Sequence, residues 1–158
     1  YENTLMGTSH SKDLGLPGER IGFLTISPNC LRWERVVGAA AFANRTLGFV
    51  NAPGLMQRVV AELQSTVIDL DWYRRKRDLL YKELTRMGYN VPYPGGAFYI
   101  FPEAPGGDDI AFSGKLKDLR VLAVPGTGFG KPGYFRIAYC VNDELIEGAL
   151  PLCEKAIS

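Results

Sequence analysis

The sequence predicts an α/β protein. Short apolar runs that are typical of strands alternate with longer segments whose apolar residues recur at helical spacing. The 158 residues are 46% hydrophobic and 22% charged, which suits a globular chain with one sizeable core and an appendage. No apolar run reaches the roughly 20 residues that a membrane span needs. We therefore expect a folded chain, outside the membrane, that combines strands and helices.

The first third of the chain predicts one strand and one helix. Residues 20–27 form a short apolar run that Pro28 ends, so we expect a strand buried on both faces. Residues 31–43 follow as a helix whose glycine and alanines would permit close packing. Residues 44–53 are expected to form a connecting loop.

The middle of the chain predicts a long helical region. Apolar residues recur at helical spacing from Leu55 to Leu84, which indicates either one long helix or two nearly collinear helices. Gly88 is expected to end this region as a C-cap. The basic run at residues 74–77 lies inside it, and we interpret that run as a solvated face.

From about residue 89 the chain alternates short strands with helices. We expect the strands to form one small sheet. The last helix has acidic residues in its first turn, Asn142 as its N-cap and Pro151 as a kink. The predicted elements are strands at 97–101, 121–124 and 135–141, and helices at 112–117 and 143–157.

Charge and cysteine content exclude several classes of function. The formal net charge is +1 and the basic residues are spread along the chain, so neither a nucleic acid nor a membrane surface is an expected partner. Cys30, Cys140 and Cys153 lie far apart, without the spacing of zinc ligands or of a redox pair. The single histidine, His10, is expected to pack or to hydrogen-bond, and no metal site is expected. These features favour a reducing, cytoplasmic setting.

The most informative segment runs from Ser9 to Gly22. It reads Ser-His-Ser-Lys, with Lys12 as its fourth residue, and Arg20 lies eight positions after that lysine. This pattern resembles the lysine motif of class I and II aminotransferases, which are fold type I enzymes that depend on pyridoxal 5′-phosphate (PLP). An isolated Ser-x-Ser-Lys would more simply be a surface turn, but the matched positions of the arginine and of Gly22 favour the functional interpretation.

The resemblance implies a role for each polar residue of the motif. Lys12 would be the Schiff-base lysine, because its amine can condense with the cofactor aldehyde, and once released it would act as the base at the substrate Cα. Ser9, Ser11 and Arg20 would bind the cofactor phosphate through two hydroxyls and a guanidinium.

A second segment, Gly133 to Cys140, resembles the strand of the same family that carries the arginine for the substrate α-carboxylate. Arg136 is the candidate, since a guanidinium matches a carboxylate bidentately. An exposed strand arginine is the alternative. The segment Pro94 to Pro102 also resembles the family, and Phe98 could touch the substrate, although a glycine turn into a core strand is at least as good an interpretation. Residues 124–130 lack the Lys and following Ser or Thr of a phosphate loop, so we expect a turn.

The resemblance covers the whole chain but only the C-terminal portion of such an enzyme. Residues 1–53 are expected to be a remnant of the large PLP-binding domain, and residues 54–158 the interdomain helix with the small α/β domain. We expect a cut piece of a longer protein, inactive alone, whose parent is a homodimer that transfers an amino group between an amino acid and a 2-oxo acid.

Two other functions remain open at this point. The parent could be a PLP-dependent lyase or decarboxylase on the same fold. It could also be a transcription regulator that uses a PLP-binding domain as its sensor.

Overall fold

The computed structural model describes all residues from Tyr1 to Ser158. They divide between two units, Tyr1–Ile68 and Asp69–Ser158. This division lies later in the chain than the predicted domain boundary near residue 53. The assignment of residues 1–53 to a larger cofactor-binding domain stays a prediction.

The first unit is built around a pair of antiparallel strands. Strand β1 (Leu5–Ser9) pairs with β2 (Gly22–Ile26), and the register places Ser9 opposite Gly22. The connection contains a short helix, α1 (His10–Asp13), and a 3-10 turn at Pro17–Glu19. Strand β1 was not predicted from the sequence.

Strand β2 forms where it was predicted, but the expectation that it is buried on both faces is wrong. Residues 22–25 are exposed, and Ile26 is half-buried. Within this unit β1 is the strand that pairs with β2, and a two-stranded sheet is too narrow to bury its own faces.

Two helices complete the first unit. Helix α2 (Trp33–Thr46) begins two residues after the predicted start and includes residues 44–46, which were expected to be loop. Helix α3 (Gly54–Glu62) follows after a connection. No residue of α2 is buried, so its small side chains pack against little within this chain.

The predicted long helical region is two helices. Helix α4 (Leu70–Arg86) is separated from α3 by residues 63–69. The side chain of Asp69 accepts a hydrogen bond from the Trp72 amide at 2.9 Å, which caps the new helix. Gly88 follows the last helical residues with a φ of +99°, the left-handed conformation that ends helices.

The second unit contains the small sheet that the sequence predicted. Strands β3 (Tyr99–Ile100), β4 (Val124–Pro125) and β5 (Phe135–Ala138) are antiparallel in the order β3–β5–β4, and each is shorter than predicted. Helix α5 (Asp109–Asp118) extends beyond its predicted range, whereas α6 (Asp143–Ile157) has the predicted bounds. Asn142 lies at the N-cap of α6, but its side chain makes no capping hydrogen bond.

The hydrophobic core of the second unit lies between its helices and the sheet. Tyr89 donates its hydroxyl hydrogen bond to the Cys153 carbonyl at 2.8 Å, which ties the turn after α4 to α6. The buried core residues are Leu80, Leu84, Tyr89, Val91, Ile100, Ala104, Phe112, Leu116, Val121, Phe135, Tyr139, Ile146, Cys153 and Ala156.

The interpretation of residues 74–77 as a solvated face is wrong for Lys76. This residue is 3% exposed. Its ammonium group donates to the Val141 carbonyl, lies 3.0 Å from Asp143 Oδ1 and stands 3.4 Å from the centroid of the Trp72 ring. One buried cation therefore joins α4 to the start of α6, whereas Arg74 and Arg75 are exposed.

Candidate functional site

The two serines of the lysine motif lie at the junction of β1 and α1. Ser9 is the N-cap of α1: its hydroxyl oxygen accepts from the Ser11 amide at 3.1 Å. The Ser9 hydroxyl also donates to the Ser11 hydroxyl at 2.7 Å. The helix start therefore places both hydroxyls side by side.

Arg20 lines the same cavity as the two serines and lies at the end of the segment that connects β1 to β2. It follows the 3-10 turn with a left-handed backbone (φ 50°), and its Nη1 donates to the Pro17 carbonyl at 2.9 Å. That bond uses one of the five N–H donors of a guanidinium. Ser9, Ser11, Arg20, Ile21 and Gly22 together line an open cavity of about 200 Å³.

Gly22 explains how these groups come so close together. A Cβ atom at this position would lie 2.3 Å from the Thr8 carbonyl oxygen and 2.9 Å from Ser9 Cα. The His10 amide also donates to the Ile21 carbonyl at 3.0 Å, which continues the strand pairing to α1. Only glycine permits this approach, so the glycine two residues after Arg20 holds the arginine beside the serines.

The donor set of the cavity suits an oxyanion. Two serines and an arginine line it, and a phosphate group requires several hydroxyl and guanidinium donors in fixed positions. No carboxylate lines the cavity. Lys12 follows Ser11 in α1 and is exposed, and it is not among the residues that line the cavity.

His10 has the packing and hydrogen-bonding role that the sequence predicted. It is 6% exposed, its Nδ1 lies 3.0 Å from Asp13 Oδ2, and its ring centroid is 5.9 Å from that of Phe23. These contacts fix α1 against β2.

Arg136 lies on the central strand of the small sheet and is half-buried. Its guanidinium carbon is 4.2 Å from the centroid of the Tyr99 ring and 4.3 Å from that of Phe129. Tyr99 belongs to β3 and Phe129 follows β4, so the two rings reach the guanidinium from opposite sides of β5. None of the ion pairs within this unit involves Arg136, and cation–π contacts leave N–H donors available for an anion.

Phe98 precedes β3 and is half-buried. Its ring stacks on Tyr73 with centroids 6.0 Å apart, and its carbonyl accepts from the Tyr139 amide at 2.9 Å. Ala97 before it has a φ of +58°. The turn into a core strand is therefore present, and the contact of Phe98 with a substrate stays a prediction.

Sequence reasoning missed three residues of this region. Tyr99 and Phe129 contact Arg136, and the buried carboxylate of Asp109 binds the segment that carries Phe129. Residues 124–130 were predicted to be a turn, and residues 126–129 form a 3-10 turn. The sequence pattern did not indicate that this turn contacts Arg136, because the turn follows β4 whereas the arginine lies on β5.

No metal-ligand cluster accompanies these residues, and the thiol of Cys153 is buried. The structure contains no group of three or more His, Cys, Asp or Glu side chains placed to hold a metal ion. Burial raises the pKa of the Cys153 thiol to about 11, which disfavours a nucleophilic thiolate. No helix is both long and apolar enough to cross a bilayer.

Comparison with known protein families gives a match over nearly the whole chain. The family model described as "Aminotransferase class I and II" matches residues 1–151. The chain is 31% identical to an aspartate aminotransferase of Pyrococcus horikoshii over 163 residues, which cover 99% of this chain and 41% of that protein. It is 40% identical to a probable aspartate/prephenate aminotransferase of Aquifex aeolicus over 154 residues, or 92% of this chain and 39% of the relative.

Solved structures give the same result. An amino transferase from Eubacterium rectale superposes with a TM-score of 0.89 at 44% identity, over 99% of this chain and 39% of that one. An aspartate aminotransferase variant of Thermus thermophilus, complexed with tryptophan, gives a TM-score of 0.83 at 25% identity. The chain thus spans about 40% of the length of the proteins that it matches.

Proposed function

Because this chain belongs to the class I and II aminotransferases, we propose that a full-length protein containing it transfers an amino group between an amino acid and a 2-oxo acid with PLP. The fold is the C-terminal portion of the fold type I architecture, consistent with the share of each relative that the chain covers. Residues 1–53 would belong to the large domain, and residues 54–158 would supply the interdomain helix and small domain.

One observation carries the proposal. Ser9, Ser11 and Arg20, separated by up to eleven positions in the sequence, line one cavity with an oxyanion-binding donor set. In this proposal they hold the cofactor phosphate. Gly22 keeps the arginine and the serines together, since any side chain there would collide with the backbone of β1.

Lys12 directly follows Ser11, one of these proposed phosphate ligands. When bound, PLP supplies an aldehyde for covalent attachment and a ring that accepts electrons from the substrate Cα. The Lys12 amine would carry the cofactor between turnovers and, once displaced by the substrate amine, would move the proton at the substrate Cα. One side chain would thus serve two steps.

Arg136 would bind the substrate α-carboxylate. Tyr99 and Phe129 hold its guanidinium, and no carboxylate of the unit neutralises it. An amino acid and a 2-oxo acid share the carboxylate, so one anchor would serve both half-reactions. Phe98 would contact the substrate beside it.

The names of the relatives support amino transfer over the alternatives. The proteins reported above are aminotransferases, whereas none is a lyase, a decarboxylase or a transcription regulator. A cytoplasmic homodimer is the assembly that we propose, and the three free cysteines agree with a reducing compartment.

The test uses a full-length protein that contains this chain, PLP and pairs of amino acid and 2-oxo acid. We expect a new amino acid and a new oxo acid in equal amounts. Borohydride reduction followed by peptide mapping should place the cofactor on Lys12. Lys12→Ala should abolish turnover, whereas Lys82→Ala, which removes an exposed lysine of α4, should not. Release of CO2 or ammonia without a new amino acid, or cofactor attached to another lysine, would overturn the proposal.

A further inference from the structure

Asp109 is a buried carboxylate whose partners are all neutral. It is 4% exposed and begins α5. Its Oδ2 accepts from the Thr127 amide at 2.8 Å, and its Oδ1 accepts from the Thr127 hydroxyl at 3.1 Å and from the Gly133 amide at 3.0 Å. A carboxylate removed from water is retained only where such bonds replace its hydration.

These bonds close a loop that leaves and rejoins the sheet. The segment 126–133 connects β4 to β5, and Asp109 binds it near both ends. The Gly126 amide donates to the Tyr134 carbonyl at 2.7 Å, and the Lys131 amide donates to the Gly126 carbonyl at 3.0 Å. The loop therefore has a defined shape.

Phe129 lies in the middle of this loop. It is 49% exposed, so burial in the core does not hold it. The centroid of its ring nevertheless lies 4.3 Å from the guanidinium carbon of Arg136 and 6.3 Å from the centroid of the Phe101 ring. The position of this ring depends on the shape of the loop, and the loop is fixed by Asp109.

We propose that Asp109 is a positioning residue for the carboxylate-binding Arg136: it fixes the 126–133 loop through Thr127 and Gly133, and the loop holds Phe129 against the guanidinium opposite Tyr99. This inference rests on the proposed role of Arg136 as the substrate anchor. In this proposal the orientation of Arg136 depends on a buried aspartate that lies 27 positions earlier in the sequence.

The first experiment measures the loop directly, in the 158-residue chain. Asp109→Asn keeps the shape of the side chain but turns one acceptor into a donor that opposes an N–H or O–H group. We expect amide hydrogen exchange at Thr127 and Gly133 to accelerate by about tenfold or more. Asp118→Asn removes an exposed carboxylate at the other end of α5 and should leave both amides unchanged.

The second experiment measures the anchor, in the full-length protein with PLP. The dissociation constant of a 2-oxo acid, measured by calorimetry without an amino donor, should rise about tenfold in Asp109→Asn, and the KM of the amino acid should rise with it while kcat changes little. Phe129→Leu should raise the same dissociation constant, because it removes the aromatic ring. Phe129→Tyr keeps the ring and should bind the oxo acid as the unsubstituted protein does. Ile146→Ala, a core cavity in α6, controls for loss of stability alone.

The outcomes separate the two proposals. If Arg136→Ala weakens oxo-acid binding but Asp109→Asn binds like Asp118→Asn, Asp109 is not a positioning residue and the proposed function stands. If Arg136→Ala leaves binding unchanged, the anchor assignment fails and Asp109 does not act through it. A weakening in Ile146→Ala equal to that in Asp109→Asn would also overturn the inference, because lost stability would then explain both.

Discussion

At the scale of single residues, the environment of each charge distinguishes the proposed binding groups from structural ones. Lys76 and Asp109 are buried and have their hydrogen bonds satisfied by the protein. Arg136 and Arg20 keep donors for a ligand, one held by aromatic rings and the other beside two hydroxyls. A guanidinium held over aromatic rings keeps its full charge, so it can still pair strongly with a carboxylate.

Arg136→Ala in the full-length protein is expected to raise KM for the amino acid and the 2-oxo acid alike. A lost charge-assisted pair corresponds to an effect on the order of 100-fold. PLP affinity should not change, since none of the proposed phosphate ligands is altered. Steady-state kinetics with both substrates, with Arg75→Ala as the control for an exposed arginine, measure this. Equal KM values in the two variants would remove Arg136 from the site.

The stability of the second unit should depend on pH through Asp109. Hydrogen bonds from the Thr127 and Gly133 amides hold the pKa of Asp109 below its ordinary value of 3.8. The stabilisation is complete above that value and is lost as the pH falls through the lower pKa of the folded state. Glu103, with its pKa lowered by the hydrogen bond from Tyr134, adds to the same trend.

We therefore expect the melting temperature of the chain to fall between about pH 5 and about pH 2. Asp109→Asn should melt lower at neutral pH and lose less on acidification, because it has no carboxylate to protonate. Calorimetry across this range decides the matter. A slope in Asp109→Asn as steep as that in Asp118→Asn would show that Asp109 does not carry the effect.

At the scale of secondary structure elements, the pairing of β1 with β2 shapes the proposed phosphate site. The strands are exposed and few, so their register depends on local contacts more than on a core. At Gly22, opposite Ser9, the backbone of β1 leaves no room for a Cβ atom.

Gly22→Ala should open this end of the strand pair. A Cβ at 2.3 Å from the Thr8 carbonyl oxygen forces the strands apart and moves Arg20 from the serines. We expect PLP to bind at least about tenfold more weakly to the full-length protein, in line with the loss of one charge-assisted contact. Gly7→Ala is the matched control in the same sheet, since its Cβ would meet only Leu24 Cδ1 at 3.9 Å. Equal PLP affinity in the two variants contradicts the prediction.

Lys76 is expected to stabilise the junction of α4 and α6. Lys76→Met keeps the apolar stem against Trp72 but leaves the carbonyl of the half-buried Val141 without its donor. We expect the free energy of unfolding to fall by about 1–3 kcal/mol. Arg75→Met, at the exposed neighbouring position, should change it by less than about 0.5 kcal/mol. Chemical denaturation of the chain measures both values. Equal free energies of unfolding in the two variants would show that Lys76 does not stabilise this junction.

At the scale of the whole molecule, the two units differ in how much core they contain. The buried hydrophobic cluster lies entirely between residues 80 and 156, in the second unit. The first unit buries few side chains, and it exposes large apolar residues, including Phe42 and Leu47. The proposed cofactor ligands thus belong to the unit with the smaller core.

Residues 1–158 by themselves are expected to turn over far more slowly than the full-length protein. The resemblance places the acidic partner of the cofactor ring and most of the large domain in the portion that the chain does not cover. Mixing the purified chain with PLP, an amino acid and a 2-oxo acid, beside the full-length protein, tests this. Comparable turnover would mean that the catalytic machinery lies wholly within these residues.

The sequence alone determined the family, the type of most elements and the candidate ligands. Ser9, Ser11, Lys12 and Arg20 lie within twelve residues of one another, so their pattern is readable from spacing. Helix α6 was predicted to its bounds because its N-cap position and acidic first turn are local signals. The tertiary structure decided the rest.

It placed the aromatic rings on Arg136, buried Lys76 within a basic run and bound Asp109 to the 126–133 loop. It also left β2 exposed where an apolar run had predicted burial. Each of these depends on contacts between residues far apart in the chain. The pattern of apolar and charged residues in a sequence indicates which kinds of contact a side chain can make. Which contacts it does make depends on the residues that the fold packs around it.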